Sequence, residues 1–329
     1  MNGTWWVDPG QLDDDQMDVV KLGRDGNFLI LGPPGCGKTN LLVLRANYLS
    51  AADRPDIIIL VSTRTLREFL ASGAINYQFP ADKIQTHNEW AKRLLRENGV
   101  QLETSEDYKT EMRSLFTQIK ELIEEKKIYE LYDAIFLDEA HDFTKEEIDI
   151  FFRLGKNVFA VADSRQKIYD NEDPIEYIKS QVDETKDLKF HYRNGLDICR
   201  LADEITKATQ IYNSLEDTSN YDESAFPSTV QHRRCVSLTE QCEKALVSLE
   251  TQLEAYPNEM IGVICPRRLD LPEIRSFFST SSISTRCVFQ DPEEGYSRFD
   301  PEKPICVCTL HGAKGLEFRA LHILVSCQA

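Results

Sequence analysis

The clearest chemistry in the chain lies in Gly32-Pro33-Pro34-Gly35-Cys36-Gly37-Lys38-Thr39, followed by Asn40. Glycines at 32, 35 and 37 let the backbone turn sharply and bring its N–H groups against phosphate oxygens. A helix beginning near Lys38 would aim the positive end of its dipole at the same place. The Lys38 ammonium can reach the β- and γ-phosphates and the Thr39 hydroxyl can ligate Mg²⁺, so the whole stretch from Gly32 to Asn40 reads as a nucleotide cradle. A second group of candidates is Asp138 with Glu139, which close the apolar run Tyr132–Leu137. A carboxylate at a strand end can hold the metal that Thr39 also binds, and Glu139 can polarise a water against the γ-phosphate. Gln166, just beyond Asp163, stands where a side chain could sense that phosphate.

These groups need elements to position them. Asn27-Phe28-Leu29-Ile30-Leu31 reads as a buried strand before the cradle, and leucines at helical spacing between Asn40 and Leu49 read as the helix after it. The β-branched run Ile57–Val61 has the composition of a central strand covered on both faces, and it delivers Ser62 and Thr63 to the edge where open α/β sheets bind ligands. A third strand near Ile84 brings Thr86 and His87 to that edge. Residues from Glu103 to Lys127 are charged, with sparse apolar positions at helical spacing, and read as a small helical insertion around 96–130. Asn157–Ala162 is another strand.

The polar stretch 169–185, with Pro174, reads as a linker, so the expected division is 1–168, then 186–329. In the second half, strands are expected at Leu188–Phe190, near Cys235, at Met260–Cys265, at Ile305–Cys308 and at Leu321–Val325, with helices at Ile198–Ile205 and Glu240–Leu253. The fold class expected is α/β, with two P-loop-type domains built on parallel sheets.

Composition narrows the function. No run of about 18 apolar residues and no signal-like N-terminus is present, which implies a soluble, cytoplasmic protein with no membrane partner. Nine scattered cysteines without paired C-x-x-C spacing indicate neither zinc nor a disulfide framework. A formal net charge of −17 excludes a surface that is basic all over, so nucleic acid would have to bind in a local cleft.

Taken in order, Asp138-Glu139-Ala140-His141-Asp142, Gln166-Lys167-Ile168-Tyr169, His191-Tyr192-Arg193-Asn194 and Thr309-Leu310-His311-Gly312-Ala313-Lys314-Gly315-Leu316-Glu317-Phe318 resemble superfamily 1 helicases of the UvrD/Rep/PcrA type. The resemblance implies two RecA-like domains with ATP and Mg²⁺ in the cleft between them. It implies that Gln16 recognises the adenine edge, Tyr192 stacks on the ring and Glu317 contacts the ribose or a nearby coupling loop. Arg193 is then an arginine finger supplied by the second domain, which ties hydrolysis to cleft closure. Ser62, Thr63, Thr86, His87, Thr309 and His311 would line a track for single-stranded DNA, or RNA, in a 3′-to-5′ motor. The chain departs from the family at His141, where glutamine is usual, at Ser62, where an aromatic is usual, and at Asn171-Glu172-Asp173, where an aromatic and Arg-Gly-Ala are usual. Pro266–Pro304 is short for the family's large insertion, and nothing after Phe318 matches its last motif, so the second domain reads as incomplete. The alternative reading is a helicase-like ATPase or nucleotide switch governed by a protein partner.

Overall fold

The computed structural model describes residues 9–52, 54–74, 79–103, 105, 107–163, 174–207, 214–291 and 295–325. Two α/β units emerge: the described residues of 8–62 and 77–231 form the P-loop unit, and those of 63–76 and 232–329 form the other. Each is built on its own central sheet, six strands in the P-loop unit and five in the other.

The P-loop unit begins with α1 (Asp14–Val20), β1 (Phe28–Gly32), α2 (Lys38–Ala51) and β2 (Ile57–Val61). It resumes with β3 (Ile84–Thr86), α4 (His87–Glu97), α5 (Tyr108–Lys126), β4 (Ala134–Leu137) and α6 (Lys145–Leu154). Then come β5 (Val158–Asp163), α7 (Pro174–Lys179), β6 (Glu184–Asp187) and α8 (Leu196–Lys207). The sheet order is β3-β2-β4-β5-β1-β6, all pairs parallel. Every residue of β1, β2, β4 and β5 is buried, as continuous apolar strands covered on both faces must be. Because β5 alone separates β1 from β4, the cradle and the acids after β4 open at the same C-terminal edge of the sheet.

Three expectations change. The strand placed at Leu188–Phe190 is instead β6 at 184–187, and it pairs with β1, so the first domain does not end at 168 and part of the supposed linker is its edge strand. Residues 164–173, which include Gln166 and the start of that linker, lie outside the described residues. The helical segment around 96–130 is not appended to the unit: α5 packs Met112, Leu115, Phe116, Ile119, Leu122 and Ile123 into one core with Trp90, Phe143 and Phe151. Its charged residues occupy the solvated face, which is why the sequence looked peripheral. Finally, α3 (Arg64–Ala74), which follows β2 directly, belongs to the other unit, where Phe69 meets Phe299 edge-to-face at 6.1 Å.

That second unit holds α9 (Leu238–Ala255), β7 (Ile261–Cys265), α10 (Leu271–Ser279), β8 (Cys287–Asp291), β9 (Gly295–Tyr296), β10 (Ile305–Thr309) and β11 (Ala320–Ile323). Its sheet runs β11-β7-β10-β8-β9, parallel except for the β8–β9 pair. No strand forms near Cys235 among the described residues. None of the described helices is long and apolar enough to cross a membrane.

Candidate functional site

β1 runs straight into the turn that becomes α2. Gly35 and Gly37 take φ of 80° and 87°, a left-handed conformation that residues with a Cβ adopt at a cost. Gly37 is the N-cap of α2 and offers no side chain to cap it, so the positive end of the helix dipole faces the turn. Lys38 is buried, and its Nζ donates to the carbonyls of Gly32 and Pro33, both at 2.9 Å, with Cys36 Sγ at 3.7 Å. Burial works to lower the pKa of this ammonium, but the charges of Cys36, Asp163, Glu139 and Asp138 outweigh it and hold it above the usual lysine value. Asn40 and Pro33 are buried, whereas Pro34, Gly35, Gly37 and Thr39 are partly open.

The acids stand opposite. Thr39 Oγ1 lies 3.2 Å from both carboxylate oxygens of Asp138, which is 1% exposed. Burial, then the neighbouring Glu139 charge, push the Asp138 carboxyl up to about 7, although Thr39 and Lys38 pull the other way. A hydroxyl and a buried carboxylate that lacks enough positive charge form the hard-oxygen donor set that suits Mg²⁺, so these two residues fit that ion. Glu139 itself has φ 50° and ψ 47°, a left-handed position for a residue with a long side chain, costing about 1–3 kcal/mol. Strain of this kind persists where the surroundings dictate it, and here it turns Glu139 off the end of β4 beside Asp138. His141 lies beside it. Its Nδ1 accepts from the Asp163 backbone N–H at 3.2 Å, which leaves Nε2 facing Glu139 Oε2 at 3.4 Å. His141 thereby links the segment after β4 to the end of β5. Asp163, whose backbone pairs in register with Gly32, brings a third acid beside Lys38; as a lone acid at a strand end it gave no sequence signal of its own.

α1 and residues 191–194 pack against the glycine turn from outside the sheet edge. Asp13 caps α1 by accepting from Gln16 N at 2.7 Å, and Gln16 Oε1 accepts from Asp13 N at 3.1 Å, a reciprocal capping box. Gln16 Nε2 then donates to Cys36 O at 2.9 Å, across the cradle's own backbone. Tyr192 N donates to Gly35 O at 3.2 Å and its phenol donates to Asp13. A Cβ on Gly35 would lie 3.4 Å from Arg193 Cβ and 3.5 Å from Asn194 Nδ2. Tyr192 and Arg193 therefore sit on the P-loop unit itself, which corrects the expectation that Arg193 comes from the second domain. The reason is visible in residues 214–231. They dock onto α8 and residues 191–194 through Asp203, which accepts from Ser214 Oγ, Leu215 N and Glu216 N, and through His191 Nε2, which donates to Leu215 O at 2.9 Å.

Other expected contacts fare differently. Thr86 is buried as the N-cap of α4, accepting from Glu89 N at 3.2 Å. His87 is buried too, with Nδ1 on Val61 O at 3.2 Å, Tyr108 OH near Nε2 at 3.5 Å and Phe143 edge-on at 5.4 Å. Their polar atoms serve the core, so neither fits an open strand-binding track. Thr63 caps α3 through Leu66 N at 3.2 Å, and Ser62 is partly buried. In the second unit, Thr309 Oγ1 accepts from Gly312 N at 3.0 Å, His311 is exposed and Glu317 is half-buried.

A family profile described as "Type III restriction enzyme, res subunit" matches residues 14–181. No curated protein matches the sequence. Among solved structures, the Pif1 helicase from Candida albicans is similar at 15% identity and a TM-score of 0.44, over 80% of this chain and 53% of that one. Bacteroides Pif1 bound to ssDNA gives 14% and 0.38 over 82% and 57%, and the Pyrococcus furiosus Hef helicase domain 13% and 0.37 over 92% and 87%. The chain thus spans about half the length of the Pif1 structures.

Proposed function

Since this chain belongs to the family of the type III restriction enzyme res subunit, we propose that it is an ATP-dependent helicase or translocase acting on single-stranded DNA, running 3′ to 5′ as its UvrD/Rep/PcrA-like motifs imply. The observation that carries this reading is the face-to-face placement of Thr39 and Asp138, 3.2 Å apart, beside Lys38 and Glu139 at one sheet edge. Lys38 draws the β- and γ-phosphates, and the amides at the start of α2 cradle them. Bound Mg²⁺, held by Thr39 and Asp138, would offset phosphate charge. Glu139 orients and deprotonates the attacking water. Gln16 and Tyr192 take the adenine.

Arg193 is always charged and planar, suited to the charge that spreads over the transferring phosphoryl group, an effect worth about 10³–10⁵ in rate in other NTPases. Because it is carried by the P-loop unit, its contribution does not wait for a second domain to close. Gln166 couples the γ-phosphate to the strand-binding face, Glu317 serves the ribose or the coupling loop, and Ser62, Thr63, Thr309 and His311 remain the contacts proposed for the strand.

Turnover of ATP measured with and without a single-stranded DNA oligonucleotide at low salt tests the motor. Stimulation by the oligonucleotide, fading as salt rises, is the expected result, and flat turnover with both DNA and RNA overturns it. One set of observations favours a second reading, a nucleotide switch governed by a protein partner: the net charge of −17 together with the burial of Thr86 and His87 leaves little to grip a strand. That reading requires ATP binding without strand-stimulated turnover, and efficient strand displacement rejects it.

A further inference from the structure

The nucleoside side of the cradle is closed by a ring of hydrogen bonds with Asp13 at its centre. Asp13 Oδ1 accepts from Gln16 N at 2.7 Å, Gln16 Nε2 donates to Cys36 O at 2.9 Å, and Gly35 O, one residue earlier in the cradle, accepts from Tyr192 N at 3.2 Å. The Tyr192 phenol returns to the other oxygen of Asp13. One carboxylate therefore serves two elements far apart in sequence, the start of α1 and the segment before α8. Helix capping needs only one oxygen, and serine or asparagine would cap as well. What the second oxygen adds is a hold on the phenol end of the Tyr192 ring, while the backbone N–H of the same residue is held by Gly35 O.

We propose that Asp13 is a positioning residue for nucleotide binding: it braces Tyr192 as a rigid platform for the base, at a fixed height above the glycine turn, and does so with the same side chain that orients Gln16. This rests on the reading that Tyr192 and Gln16 take the base of ATP. A braced aromatic loses less freedom when a base stacks on it than a swinging one, and that saving appears as affinity. The phosphates do not touch this brace, so their share of the affinity is independent of it.

The test is displacement of a fluorescent ATP analogue from the full chain by ATP and by tripolyphosphate, which carries the phosphates without the base. Asp13→Ser keeps a good cap but has only one oxygen, and Tyr192→Phe removes the other end of the bond. Each is expected to weaken ATP about tenfold, the worth of one hydrogen bond to a charged acceptor, while tripolyphosphate displaces as before. The double variant should be no weaker than either single one, because both cut the same link. The proposal is overturned if Asp13→Ser binds ATP as the unmodified chain does, if tripolyphosphate weakens in step with ATP, or if the two losses multiply. Failure of the underlying reading looks different: the unmodified chain would bind no ATP, or Lys38→Ala would bind it undiminished.

Discussion

At the scale of single residues, Lys38 and Glu139 are given different work by their surroundings. Lys38 lies under the cradle with its charge retained by the acids around it, so Lys38→Ala should weaken ATP binding about tenfold or more, read by equilibrium titration. Glu139 stands in a strained turn next to Asp138 and His141, and on the proposed reading Glu139→Gln should bind ATP normally while turnover falls by about 10²–10⁴, the usual worth of a positioned base. Equal losses of binding in the two variants would contradict this division. Thr86 and His87 give the opposite lesson. Side chains at a strand's C-terminal edge are placed well for a ligand, yet these two are consumed by a helix cap and by an aromatic core.

At the scale of elements, α5 is the test of whether charged helices are peripheral. Phe116 packs on Trp90 at 6.1 Å and Phe151 at 5.9 Å, so Phe116→Ala should cost about 3–5 kcal/mol in denaturant unfolding, whereas a loosely attached insertion would lose far less. The start of α6 carries a pH dependence. Glu147 completes a capping box with Thr144 while buried, and that burial raises its carboxyl above the ordinary value of 4.5 against the opposing pull of His87 and Thr144. The folded chain then binds this proton more tightly than the unfolded chain does, so this group's contribution is best below pH 4.5 and is lost as pH rises through the raised folded value. Glu147→Gln keeps the box without the charge. Its Tm should exceed that of the unmodified chain at pH 7.5, with the gap closing near pH 4; a gap independent of pH would show that the charge is not the cause.

At the scale of the whole molecule, the chain leaves the P-loop unit after β2, contributes α3 to the other unit, and comes back for β3. Leu66, Phe69 and Leu70 are buried there, Leu66 within 3.0 Å of where a Cβ on Gly315 would stand. Hydrogen exchange should therefore show α3 opening together with β7 and β10, and not with β2; exchange in step with β2 would contradict the division. Arg193 makes the converse move, remaining with the cradle although it lies beyond the expected boundary.

Much of this was legible without coordinates. Continuous β-branched runs, the glycine spacing of the cradle and the acids after β4 are local patterns, and local patterns carry over into strands, turns and their ends because backbone sterics and burial period act over a few residues. They sufficed for the α/β class, for the parallel sheets and for the meeting of Lys38, Thr39, Asp138 and Glu139. Which unit receives α3, which sheet takes 184–187, whether α5 faces a core, and how Asp13 comes to hold Tyr192 depend on surfaces that meet across scores of residues. Periodicity says that a face is apolar, but the choice of partner for that face is made by packing, and only the tertiary structure shows it.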